Sequence, residues 1–192
     1  DSAKFHDAIS QAANQDYDGV IISHGDDSAT VTAVQELKDK EIEVVTFDSV
    51  EELNSVEGVT LTSQDDEALA TLALDQLIED FKGEAKIAYL WVDGFAPMVR
   101  RNAVYEEKLA SNSGIKELER FGVATSDTSV QTQNAVQAML NKYPEGELDA
   151  IFATWDAFAI GAARAIEEAG RDEVRLYGID VSNADLQLIQ QE

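Results

Sequence analysis

Seven short runs rich in β-branched and aromatic residues alternate with stretches of helical periodicity, and that alternation leaves few folds open. The runs are "GVIIS" (19–23), "EVVTFD" (43–48), "GVTLT" (58–62), "AKIAYLWV" (85–92), "IKELERFGVA" (115–124), "DAIFATW" (149–155) and "VRLYGID" (174–180). Helical spacing fills 2–15, 28–40, 66–82, 97–112, 129–143 and 157–169, with a further start near 183. Strands of this near-continuous apolar kind, each followed by a helix, predict an α/β fold with parallel sheets covered by helices on both faces.

Punctuation fits that reading. Ser63 followed by Asp66 predicts a variant capping box, Asp156 stands where an N-cap belongs, and Gly170 where a helix closes on a left-handed residue. Residues 64–182 supply four strands with their helices, whereas 1–62 supply two good strands and a short third. A sheet that small is marginal alone, so a complete protein is expected to extend beyond both ends of the chain.

Charge and residue usage exclude several classes of function. Asp and Glu number 38 against 14 Lys and Arg, a net charge of −24 spread along the whole chain. Such a field repels phosphate backbones and anionic lipid, so neither nucleic acid nor a membrane surface is an expected partner. With 44% hydrophobic residues the chain nevertheless has the means to build a core. Cysteine is absent, which removes disulfides and thiol chemistry. No apolar run approaches the roughly 18 residues of a membrane span, so direct membrane insertion is not expected. The opening "DSAKFHDAISQAANQ" reads as a helix rather than a signal peptide. The two histidines, His6 and His24, stand in no zinc-protease spacing, and there is no nucleophile elbow, P-loop or dinucleotide-binding glycine pattern. Neither catalysis nor a cofactor or metal is expected; Asp65, Asp66 and Glu67 read as acids complementing a helix start.

Parallel sheets bind ligands at the carboxyl ends of their strands. Those positions hold Ser23 to Asp26, Asp48 with Ser49, Asp93 to Phe95, Trp155 with Asp156, and Asp180. For Asp26 and Asp156 helix capping is the simpler role, with ligand contact second. Asp48 and Asp180 are followed by two further residues before any helix, which makes a cap a poorer explanation and favours a ligand. Trp155 is either a core aromatic or a ring at the mouth, where it would stack against sugar C–H groups beside carboxylates that accept hydroxyl hydrogen bonds. Arg100 and Arg101 are the only adjacent basic pair, and one of them facing the mouth would donate to hydroxyls. Periodicity does not choose between them.

The segments "DYDGVIISHGDDSATVTAVQELKDKEIEVVTFDS", "AIFATWDAFAIGAARAIEEAG" and "VRLYGIDVS", in that order, resemble the type I periplasmic sugar-binding proteins of the ribose-binding-like group. The resemblance implies two Rossmann-like lobes that close on a monosaccharide or polyol and deliver it to an ABC importer permease, outside the cytoplasm and in some cases from a lipid anchor. It implies sugar contacts at Asp48 of "TFD", at Arg101 and at Asp180 of "GID", with Ser23, Ser63 and Asp93 at or near further contact positions. It begins partway through the first lobe, so 1–62 would be a partial N-terminal lobe and 63–192 a nearly complete C-terminal one. Many relatives carry Asn-Asp where this chain has Trp155-Asp156, which points the ligand away from ribose itself. The same fold forms the effector core of LacI-type repressors, the alternative reading, but the Gly-His pair and the helix-turn-helix of that group are not in this sequence. An enzyme on a flavodoxin-like scaffold is the third and weakest.

Overall fold

A computed structural model describes residues 2–24 and 28–190. Its elements, in chain order, are α1 (Ser2–Ala12), β1 (Gly19–Ser23), α2 (Ser28–Asp39), β2 (Glu43–Phe47), a 3-10 turn (Glu51–Ser55), β3 (Val59–Thr62), α3 (Asp66–Asp80), β4 (Ala85–Leu90), α4 (Ala96–Ser111), β5 (Ile115–Phe121), α5 (Thr128–Lys142), β6 (Ala150–Ala153), α6 (Asp156–Ala169), β7 (Arg175–Gly178) and α7 (Asn183–Ile189). The chain divides into a first unit, Asp1–Asp66 with Gly94–Val99, and a second, Glu67–Asp93 with Arg100–Glu192.

The second unit is built on a parallel four-stranded sheet in the order β5-β4-β6-β7. Alternate residues of each strand face opposite sides of a sheet. On β4 and β6, Ile87, Tyr89, Ala150 and Phe152 join Leu74 and Leu77 of α3 and Tyr105 of α4 in one core layer. Ala88, Leu90, Ile151 and Ala153 join Val136 and Leu140 of α5 and Phe158 and Ala162 of α6 in the other. Both faces are therefore covered, as the unbroken apolar strands require. Each fully buried Leu, Ile or Phe contributes roughly 1.5–3 kcal/mol.

Helices α5 and α6 pack closely because Gly161 has no side chain: a Cβ there would lie 2.3 Å from the Ser129 carbonyl oxygen. Helix α6 ends as expected at Gly170, whose φ of 62° is left-handed, with the Arg171 N–H returning to the Ile166 carbonyl at 3.1 Å.

The first unit carries three parallel strands in the order β1-β2-β3. One face packs Ile22 and Val44 against Ile9 of α1, Val34 and Leu37 of α2, and Leu53 of the 3-10 turn. The other face leaves Ile21, Val45 and Phe47 exposed, at 75%, 38% and 40%. Cover on both faces thus holds for the four-stranded sheet and not, among the described residues, for this one.

Three further local expectations are corrected. The strands of the second unit stop two or three residues short of their apolar runs, because hydrophobic composition continues past the point where neighbouring strands still pair. Helix α3 begins at Asp66, so Ser63 lies too early to cap it. The β2–β3 crossover is the single 3-10 turn, centred on the fully buried Leu53, which periodicity did not reveal.

Candidate ligand-binding site

In the second unit the chain leaves β4 through α4 for β5 on one side, then returns through α5 to β6 on the other. The reversal opens a crevice outside the carboxyl ends of β4 and β6, the place where open α/β sheets bind ligands. The residues of this unit delivered there are Trp91 to Asp93 after β4, Thr154 to Asp156 after β6 and Asp180 to Ser182 after β7.

Arg101 organises that end. It rises from the first turns of α4, is only 1% exposed, and forks onto Asp180: Nη2 to Oδ1 at 3.0 Å and Nη1 to Oδ2 at 3.4 Å. Nη1 also donates to the Thr154 carbonyl, while the Thr154 hydroxyl donates to the Leu90 carbonyl at 2.9 Å. One guanidinium therefore ties α4 to the loops after β6 and β7. Of the adjacent arginines it is Arg101 that is buried; Arg100 is half-buried. Asp180 is held at φ 81°, a left-handed conformation that costs a non-glycine residue energy and that the surrounding contacts must offset.

Asp156 is the first residue of α6 rather than its cap. The N-cap is Trp155, in extended conformation and without a side-chain capping bond. Asp156 still serves the helix start as an acid in its first turn. Burial raises its pKa above the ordinary carboxylate value; the negative charges of Asp185 and Asp180 add to the rise, and the Ala157 N–H and Ser182 hydroxyl work against it. Ser182 and Asp185 form the capping box of α7, with the Ser182 hydroxyl 2.7 Å from Asp185 Oδ2. The sequence "SNAD" carries that pattern, but no reading of strand ends alone reaches it. Thr154 carries no such signal, since a threonine ending an apolar run is commonplace.

Trp155 is half-buried, and its ring meets Phe158 edge to face at 5.6 Å and 78°. One part of the indole packs on the core and the rest remains accessible. Asp93 is exposed in the bend after β4.

In the first unit, Asp48 follows β2 at φ 53°, left-handed like Asp180, and its N–H donates to the Thr62 carbonyl at 3.1 Å. Its Oδ1 is buried and has no hydrogen-bond partner among the described residues. Ser23 bonds the ring of His24, and Ser63 is exposed. Asp26 lies outside the described residues. Among the described residues no group of histidine and carboxylate side chains is placed to hold a metal ion, and no helix is long and apolar enough to cross a membrane.

The family model for the periplasmic binding protein domain matches residues 1–192. A sugar ABC transporter from Yersinia enterocolitica subsp. enterocolitica 8081 is similar in structure, with a TM-score of 0.94 and 46% identity over 97% of this chain and 56% of its own. The 5-methylthioribose transporter solute binding protein from Thermotoga lettingae TMO, solved with 5-methylthioribose, has a TM-score of 0.91 and 36% identity over 97% and 58%. A glucose-galactose binding protein from Geobacillus stearothermophilus follows the same path with a TM-score of 0.81 and 25% identity over 97% and 65%. No curated protein matches the chain. The chain spans little more than half the length of the first two of these structures.

Proposed function

The chain belongs to the periplasmic binding protein family, and from that premise we propose that it is part of the extracytoplasmic solute-binding component of an ABC importer for a sugar or polyol. The observation that carries this reading is the 46% identity with the Yersinia sugar transporter protein across nearly the whole chain. The chemistry of the strand mouths agrees. Asp48 presents a carboxylate oxygen without a partner, Asp180 a carboxylate already oriented by Arg101, and Trp155 a partly free aromatic face. Carboxylates accept from sugar hydroxyls while the ring covers C–H surface.

The partners proposed are a small sugar or polyol and the importer's permease, and no bond is broken in the ligand. Among proteins of this kind the natural place of work is outside the cytoplasmic membrane, and the dispersed acidic surface, −24 in all, suits an external medium.

The test is calorimetry and thermal shift on the full-length protein with pentoses, hexoses, polyols and 5-methylthioribose. One of them is expected to bind and to raise the melting temperature by mass action. Binding of a phosphorylated sugar or a purine in place of all of these would overturn the importer reading in favour of a regulator.

A further inference from the structure

Asp180 is oriented by Arg101, and Arg101 in turn holds the carbonyl of a threonine. Thr154 follows β6 directly and is 0% exposed. Two of its donors meet one acceptor: the N–H reaches the Leu90 carbonyl at 3.1 Å and the hydroxyl reaches the same oxygen at 2.9 Å. Leu90 is the last residue of β4, which pairs with β6. A bond from the N–H alone would let the residue pivot about it, whereas a second bond through Cβ fixes the direction in which the Thr154 carbonyl leaves. That carbonyl accepts from Arg101 Nη1.

A guanidinium is planar and its donors leave in fixed directions, so anchoring one nitrogen sets the plane in which the others point. The same Nη1 and its neighbour Nη2 fork onto Asp180, at 3.4 Å and 3.0 Å. The rotation of the carboxylate therefore follows from the placement of the Thr154 carbonyl. Along this chain of contacts exposure rises outward: Thr154 is sealed, the Arg101 side chain is 1% exposed and the Asp180 side chain 23%. Asp180 is the member that solvent reaches, and its oxygens offer more lone pairs than the fork uses.

We propose that Thr154 is a positioning residue for ligand binding: its hydroxyl fixes its own carbonyl, the carbonyl fixes Arg101, and Arg101 presents Asp180 in the rotation that receives a sugar hydroxyl. The inference rests on the proposed function, in which Asp180 is a ligand contact. Thr154 itself touches no ligand. Holding an acceptor in place before the ligand arrives removes part of the ordering cost of binding.

The test uses two pairs in the full-length protein, each separated by one hydroxyl: the parent against Thr154→Val, and Thr154→Ser against Thr154→Ala. Asp180→Asn and its combination with Thr154→Val complete a double-mutant cycle; asparagine tolerates the left-handed φ of 81° and keeps an acceptor for Arg101. Affinity is measured by calorimetry with D-ribose, D-glucose, D-galactose, allitol and 5-methylthioribose, and melting temperature by thermal unfolding. Loss of the hydroxyl weakens binding about fivefold in each pair. In the Asp180→Asn background it costs nothing further, because the group it positions is gone. Variants that melt lower with unchanged affinity overturn the proposal, as does a loss of affinity that persists undiminished after Asp180→Asn. If Asp180→Asn alone leaves affinity untouched, the assignment of Asp180 falls and the role of Thr154 with it. A parent protein that binds none of the five sinks the importer reading and this role together, whereas a parent that binds without responding to the hydroxyl sinks this role alone.

Discussion

Arg101 and Asp180, 79 positions apart in the chain, hold each other in a forked ion pair at the carboxyl ends of the strands, with Nη2 and Oδ1 3.0 Å apart and the arginine almost wholly buried. Removing one partner of a buried pair strands the other, which costs more than the pair itself contributes. Arg101→Met is expected to lower the unfolding free energy by about 3 kcal/mol, toward the lower end for such losses because Asp180 keeps some access to water. Arg101→Lys, which keeps the charge and loses the fork, should fall between; urea denaturation measures both.

The α5–α6 contact predicts a second loss. Gly161→Ala would press a methyl group against the Ser129 carbonyl at 2.3 Å and the Thr132 Cβ at 2.8 Å. Backbone cannot yield as a flexible side chain can, so a destabilisation of about 1–3 kcal/mol is expected in the same assay.

Glu117 provides a pH-dependent latch. Burial pushes its carboxyl upward, but hydrogen bonds from Arg120 and from the Tyr105 hydroxyl, with the Arg120 charge, bring it below the ordinary 4.5. The same arginine lies over the Tyr89 ring at 4.8 Å. A lowered acid stabilises the fold above its ordinary pKa and loses that contribution as pH falls through the folded one. Glu117→Gln should therefore cost about 1 kcal/mol at neutral pH, discounted for partial exposure, and the gap to the parent protein should close in acid.

Asp156 has the opposite sign. Burial, then the charges of Asp185 and Asp180, raise it above the ordinary 3.8, so the folded protein holds its proton more tightly than the unfolded chain. Its contribution to stability is lost as pH rises from 3.8 through the folded value. Asp156→Asn should be more stable than the parent at neutral pH and converge with it near pH 3, which denaturation at a series of pH values will show. A difference that grows toward acid would refute the assignment.

Trp155 divides between core and mouth. Trp155→Asn gives up the edge-to-face contact with Phe158 and part of its buried area, about 1–2 kcal/mol. The change expected to dominate is a reordering of affinities across the sugar panel. An unfolded variant would assign the ring wholly to the core.

Most of the fold was legible because the apolar pattern is local. The runs at 85–92 and 149–155 carry enough β-branched and aromatic residues to declare buried strands, and Gly170 marks the end of its helix with one residue. Strand-end logic also singled out Asp48 and Asp180, which lie one and two residues beyond β2 and β7 and both adopt left-handed backbone. The failures are equally local in origin. "TWD" reads as a strand end followed by an aspartate cap, yet the helix starts one residue earlier than a cap at Asp156 would place it, because Trp155 fills the cap position by backbone conformation alone.

What the sequence by itself determined is the order of strands and helices, the residues delivered to the strand mouths and the excess of negative charge, since each depends on spacing along the chain or on simple counting. Only the tertiary structure decided that Arg101, not Arg100, turns inward to Asp180, that Asp185 bears on Asp156, and that Thr46 is fully buried. The reason is physical: the energies of burial and of charge pairing are set by distances in space between residues far apart in the chain, and periodicity carries no information about those distances.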